Sequence, residues 1–329
     1  MTSQTFKAEF IVSRHHVRPV EILPWVLAVL AFFVFPDYLQ LGAQVLILIL
    51  FALSLDLILG YAGIISLGHA ALFGTGAYAA GILSAHGKWG EPLTGLVVAA
   101  VAAALMGLIS GWVILRTRGL SLLMLTMATT ILLQEFANEQ EAITGGDDGL
   151  QGVSMDPLLG LFDFDLVGET AYLYSLAVLF VLFLIVRCIV YSSFGQSLRG
   201  IRENVVRMHA IGSPVDRRML WVYTISAALA GVAGALLAQT TEFVALDVLS
   251  FERSGDVLIV IILGGTGRLY GAFIGAPVYL LLQDQLAKWS PEYWLFGIGL
   301  VLVLRVMFVP QGLLGLFEIA QRRLPGGWG

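Results

Sequence analysis

Long apolar runs, broken by short polar stretches, recur along almost the whole chain. At 1.5 Å per residue, about 20 apolar residues match a hydrocarbon layer of about 30 Å, so each run reads as a membrane-crossing helix. The pattern predicts ten: residues 22–36, 41–60, 62–84, 93–115, 119–138, 171–191, 219–240, 253–264, 269–287 and 292–309. Two are not plain spans. The third is threaded with small residues from Gly60 through Gly63, Ser66, Gly68, Gly74 and Gly76, which lets backbones approach closely or lets a helix break where neighbours satisfy the freed groups. The eighth would rise only about 18 Å and runs into Gly264, Gly265, Thr266, Gly267 and Gly271, the composition of a sharp reversal. A short element followed by a glycine turn is the mark of a discontinuous helix of the kind that forms transporter binding sites.

Between the sixth and seventh runs lies a polar island, residues 192–218. Within it Leu198, Ile201, Val205 and Met208 recur at helical spacing, with Arg199, Arg202, Glu203 and Asn204 off that stripe. Ser193 followed by Gln196 fits a capping box, and Gly212 with Pro214 gives a left-handed stop and a breaker. The island therefore predicts one amphipathic helix of about four turns, either an idle solvated element or a working contact.

Composition settles the class. Mean hydropathy of +0.88, with 58% hydrophobic and 12% charged residues, places the chain among all-α polytopic membrane proteins, because soluble domains carry about 25% charge. The net charge of −5 matters less than its placement. Lys7, Arg14, Arg18, Arg116, Arg118, Arg187, the arginines between 199 and 218, Arg268, Arg305, Arg322 and Arg323 fall on one side of the ten-span arrangement, against Lys88, Arg253 and Lys288 on the other. The positive-inside rule makes the first side cytoplasmic, with both termini and the island. The expected organisation is a cytoplasmic tail over 1–21 without a cleaved leader, a transmembrane domain over 22–310 and a cytoplasmic tail over 311–329. The outer loop, 139–170, carries Glu141, Asp147, Asp148, Asp156, Asp163, Asp165 and Glu169 and no lysine or arginine. It is either a solvated face or a docking surface for an extracytoplasmic partner.

No catalytic or metal chemistry is legible. Gly87-Lys88 is followed by Trp89 and lacks the spacing of a phosphate-binding loop, so ATP hydrolysis is not expected of this chain. Metalloprotease and hydrolase motifs are missing, Cys188 stands alone, and residues 144–149 lack the alternating oxygens of a calcium loop. No metal or cofactor is expected on the chain, and no nucleic acid as a partner. The polar residues inside or near the runs are Asp56, His69, Gln134, Glu135, Asn138, Gln239, Glu242 and Asp256. For His69 two readings stand, a helix-to-helix hydrogen bond and a substrate contact.

Five blocks in order carry a family resemblance: GYAGIISLGHAALFGTGAYAAGIL, LTMATTILLQEFANEQEAITGGDDGLQGV, FGQSLRGIRENVVRMHAIG, SGDVLIVIILGGTGRLYGAFIGA and LVLRVMFVPQGLLGL. Over residues 41–316 the chain resembles the LivM-type permease of branched-chain amino acid ABC importers. The resemblance implies a LivH-type partner permease, two cytoplasmic ATPase subunits that use ATP and Mg, an extracytoplasmic substrate-binding protein, and uptake of leucine, isoleucine or valine across a bacterial cytoplasmic membrane. It also implies that the island docks into a groove on an ATPase, which marks Gln196, Leu198, Arg199, Ile201, Arg202, Glu203, Asn204, Val205, Met208 and Gly212 as coupling residues. Gly212 lies further from Glu203 than the glycine of the EAA motif lies from its acid. For the substrate path the glycine-rich breaks nominate Ser66, Gly68, His69, Gly264, Gly265 and Thr266. The rival readings are a urea or short-chain amide permease and an ion-coupled transporter or channel.

Overall fold

The computed structural model describes residues 19–308, apart from 88, 159, 161, 163–167 and 290. The tails with His15, His16, Arg322 and Arg323, and the side chains of Lys88, Asp163, Asp165 and Arg305, lie outside the described residues. Every predicted apolar run contains a helix: α1 (Leu23–Val34), α2 (Leu39–Asp56), α3 (His69–Ala85), α4 (Pro92–Ile114), α5 (Leu120–Glu139), α6 (Glu169–Tyr191), α9 (Val215–Thr241), α10 (Phe251–Gly264), α11 (Gly271–Trp289) and α12 (Trp294–Phe308). The polar island supplies α7 (Ser193–Glu203) and α8 (Val205–Ala210). Among the described residues the only β pairing is in isolated bridges, Leu150 with Val244 and Leu158 with Phe162.

The helices differ in reach. Five are long and apolar enough to cross a membrane: Pro36–Tyr61, Pro92–Ile114, Leu120–Glu139, Glu169–Tyr191 and Val215–Thr241. The remaining apolar helices are shorter or interrupted, so the ten runs are not ten equal crossings. The predicted third span divides into an irregular stretch over 62–68 and α3. Ahead of that stretch α2 loosens into a π-turn over Leu57–Tyr61, the widened geometry that frequently marks functional positions in helices.

α9 is the axis of the bundle. Its buried positions are mostly small: Ala227, Ala230, Gly231, Ala233, Gly234, Ala235 and Ala238. Glycine and alanine let helices approach to backbone contact, which is how membrane helices gain packing without a hydrophobic driving force between them. Gly231 lies against Gly76 of α3 on one side and Ala99 and Ala103 of α4 on the other. Higher on the same face Gln239 is fully buried, donating to the Pro92 carbonyl at 2.8 Å and accepting from the Tyr174 hydroxyl at 3.0 Å. One carboxamide thus ties α9 to both α4 and α6, and no buried polar atom of it is wasted in an apolar setting.

α1 is attached sideways. Trp25 packs edge-on against Phe180, Phe183 and Phe273, with ring centroids 4.9, 5.3 and 5.1 Å away. The Tyr172 hydroxyl donates to the Ala28 carbonyl at 2.7 Å, and Arg187 pairs with Glu21. At the start of α4, Glu91 caps the helix by accepting from the Thr94 amide at 2.8 Å. The Thr94 hydroxyl and amide hold that carboxyl below its usual range.

Candidate coupling and transport site

The island folds as two helices rather than one. Ser192, not Ser193, is the cap of α7: its Oγ accepts from the Gly195 amide at 3.3 Å. Ser193 is already inside the helix, so the expected Ser193–Gln196 box does not form the start. The chain then turns extended at Asn204, with φ −159° and ψ 101°, and Asn204 Oδ1 accepts from the Arg207 amide at 2.9 Å to cap α8. Asparagine side chains compete with the helix for backbone donors, and here that competition splits the expected four turns into 11 and 6 residues. The stop falls where glycine predicted it. Gly212 sits at φ +80°, its amide bonds His209 O at 2.9 Å and the Ser213 amide bonds Met208 O at 3.0 Å, a Schellman ending.

Leu198 and Ile201 are fully buried in the bundle, and Val205 and Met208 are partly buried beside them. The stripe is therefore the anchor that seats α7 and α8. Gln196, Arg202, Glu203, Asn204 and Gly212 are on the open side, with Arg199 intermediate. Sequence reasoning passed over Val206 and Ile211, which are 75% and 70% exposed. The available signal was their place off the apolar stripe, since an apolar side chain on the polar face of a short helix lacks a reason in the fold.

The open side nevertheless reaches back into the bundle through Arg202. Its guanidinium donates to the buried Gly60 carbonyl in the π-turn. Its stem lies over Gly63, where an added Cβ would come 3.1 Å from Arg202 Cγ, and its Nη1 lies over Gly267, 3.0 Å from where a Cβ would stand. Both glycines have positive φ, +74° each, so the backbone conformation and the lack of a side chain are needed together. Asp56, 3% exposed, closes the group by accepting from the Gly267 amide at 2.7 Å through Oδ1. Arg199 stands 5.3 Å from the centre of the Tyr61 ring. One helix of the island thus touches both interruptions, the break over 57–68 and the reversal between α10 and α11.

The six nominated path residues fall into two packed groups. Ser66 accepts from the Gly68 amide at 3.2 Å, and Gly68 rests on the backbone of Thr126 in α5. His69 is fully buried, stacked on Phe51 at 5.5 Å, with Nε2 2.8 Å from Ser54 Oγ. Ser54 spends its hydroxyl hydrogen on the Phe51 carbonyl at 2.6 Å, so His69 is the donor and its Nδ1 is left as a buried acceptor without a partner among the described residues. Gly264 packs on Gly271, Gly265 is strained open at φ +117°, and Thr266 is exposed. α10 also joins the first group directly, where the Ala70 amide donates to Ser254 Oγ at 2.9 Å.

At the opposite end Glu141, Asp147, Asp148, Asp156 and Glu169 are all exposed. The loop over 139–170 is nonetheless pinned, by the Leu150–Val244 bridge and by Thr144 Oγ1 donating to the Ala137 carbonyl at 2.5 Å.

A bundle of crossing and interrupted helices, with an amphipathic pair seated on the interruptions, defines a polytopic membrane protein of the transport class. The chain belongs to the family of permease components of branched-chain amino acid transport systems, whose sequence model matches residues 38–306. It is 29% identical over 300 residues to the high-affinity branched-chain amino acid transport system permease protein LivM of Escherichia coli K12, covering 84% of this chain and 69% of that one. To the LivH permease protein of Salmonella typhimurium LT2 it is 25% identical over 291 residues, 82% and 92% of the two chains. A probable LivM permease of Methanocaldococcus jannaschii is 23% identical over 315 residues, 80% and 89% of each. No solved structure matches the chain.

Proposed function

We propose that this chain is the LivM-like half of a permease pair in an ATP-driven importer, carrying leucine, isoleucine and valine across a cytoplasmic membrane. The observation that carries the reading is the family match over 38–306, which spans both interruptions and the island between them. A LivH-type chain completes the pair, two ATPase subunits on the cytoplasmic side supply ATP hydrolysis with Mg, and an extracytoplasmic binding protein delivers the amino acid. The exposed acids of 139–170 face that binding protein. α7 and α8 face the ATPases, presenting Val206 and Ile211 with Arg207 and Glu203 around them.

The chain's own contribution is mechanical. A displacement of the ATPases moves α7 and α8, which are stiffened by caps at both ends. Movement passes along α6 and α9, which flank the island, and through Arg202 and Asp56 into the two interruptions. Irregular backbone packed against protein is the part of a membrane bundle able to switch between arrangements without exposing polar groups to lipid. Uptake of labelled leucine by proteoliposomes holding both permeases, the ATPases and the binding protein tests the reading. Urea transported in place of leucine would reassign the substrate.

Orientation has its own test. In a Cys188→Ser background, Val206→Cys is expected to react with a membrane-impermeant maleimide in inverted vesicles and to stay unlabelled in intact cells. Labelling from the cell exterior would reverse the assignment of α7 and α8 to the cytoplasm.

A further inference from the structure

A cavity of about 150 Å³ lies between α2, α3, α9, α10 and α11; none of the six residues nominated for the path lines it, and His69 stands behind its Phe51 wall. Phe51, Phe73, Leu237 and Leu280 supply apolar wall. Phe51 and Phe73 are 1% and 3% exposed, with ring centres 4.5 Å apart, and close its inner side. The open side carries Gln44 and Arg253. The Arg253 guanidinium lies 6.0 Å from the Phe73 ring and pairs with Asp247 at 3.0 Å, both side chains partly open at 31% and 63%. One turn along α10, Asp256 accepts from the Tyr279 hydroxyl at 2.5 Å, beside Leu280 on α11.

A packing void in a core is apolar throughout and stays dry. This one has a cation and a carboxamide at its mouth, in helices whose remaining surface there is apolar. Cavities of about 150 Å³ accept molecules the size of benzene. A branched four-carbon side chain fits that volume, and a charged side chain has no partner against two phenyl rings. The polar mouth matches what such a side chain is attached to. An α-carboxylate meets a guanidinium in forked geometry, and an α-ammonium meets the Gln44 carbonyl oxygen. The present Arg253–Asp247 pair is no obstacle, since a solvent-accessible ion pair is worth about 0–1 kcal/mol and exchanges readily.

We infer that this cavity is an amino-acid subsite of the permease itself, holding the branched aliphatic side chain of a zwitterionic α-amino acid while Arg253 receives its carboxylate. The inference rests on the amino-acid transport reading and places the substrate beside α10, the half-length helix, rather than among Ser66, His69 and Gly264. It gives the transporter a second point of selection after the binding protein.

The test is binding of radiolabelled L-leucine to the purified complex of both permeases and ATPases, without the binding protein, alongside leucine uptake by the complete system. The wild-type complex is expected to bind leucine saturably, with leucinamide, which lacks the carboxylate, competing poorly. Arg253→Gln should weaken binding at least tenfold, and Leu237→Trp, which fills the cavity, should abolish it. Asp247→Asn breaks the same ion pair but leaves the guanidinium free, so it should bind leucine as tightly as wild type or more tightly. Equal losses in Arg253→Gln and Asp247→Asn would show that only the ion pair matters and overturn the subsite. So would unchanged binding in Leu237→Trp, or uptake by a wild-type complex that binds no leucine. Should Leu237→Trp fail to assemble, the contrast between Arg253→Gln and Asp247→Asn decides. A wild-type system that takes up no leucine would bring down the transport reading and the inference with it.

Discussion

Arg202→Ala is expected to leave ATP hydrolysis running while leucine uptake falls by at least about tenfold. The buried Gly60 carbonyl would lose a charged donor, a bond of about 1.5–3 kcal/mol, or roughly 10- to 150-fold in an equilibrium. Assembly should survive, because α7 is seated by Leu198 and Ile201 and not by Arg202. What disappears is the link from α7 to the break over 57–68 and to the reversal at Gly267. Arg202→Lys keeps the charge and loses the fork, so it should recover only part of the uptake. The quantity to measure is leucine transported per ATP hydrolysed in proteoliposomes. An unchanged ratio in Arg202→Ala would show that force reaches the interruptions only along α6 and α9.

Legibility in the sequence follows the range of the interaction. Apolar runs, the glycine stop at Gly212 and the shortness of α10 depend on residues a few positions apart, and all three stand in the structure as the pattern predicts. The cap at Ser192 was missed by one residue because serines at 192 and 193 offer the same chemistry, and only the backbone chooses between them. The split at Asn204 was legible in principle, since an asparagine inside a helical pattern is a competitor for backbone amides. Long-range facts were not legible. Arg202 and Gly60 are 142 residues apart, and nothing local to either names the other. The cavity is harder still: Gln44, Phe51, Phe73, Leu237, Arg253 and Leu280 come from five helices, and each alone reads as ordinary span or loop composition. His69 was singled out correctly as costly in a membrane, yet its partner, Ser54, was not predictable because it depends on how α2 and α3 face each other.

The same chemical change at two glycines is expected to act with opposite sign. Gly231→Ala and Gly299→Ala each add one methyl group to a helix interior, and in isolation each gains up to about 1 kcal/mol of helix propensity. At Gly299 on α12 no described residue lies within 4 Å of the new Cβ, so that gain stands. At Gly231 the methyl would collide with the Ala103 methyl and come 2.8 Å from the Ala99 carbonyl oxygen, while Gly76 holds the other side of α9. A backbone carbonyl cannot rotate away as a side chain does, so relief requires α9 and α4 to separate. Overpacking of this kind costs about 1–3 kcal/mol or more. Separation of these helices would also pull the Gln239 carboxamide from Pro92 and leave buried polar atoms unpaired in an apolar interior. The chain should therefore melt earlier in detergent and yield less folded protein in Gly231→Ala, with Gly299→Ala level with wild type or slightly above it. Thermal unfolding followed by size-exclusion of the solubilised protein reads both. Equal melting of the two variants would mean that α9 and α4 do not meet at Gly231 as closely as Ala99 and Ala103 require.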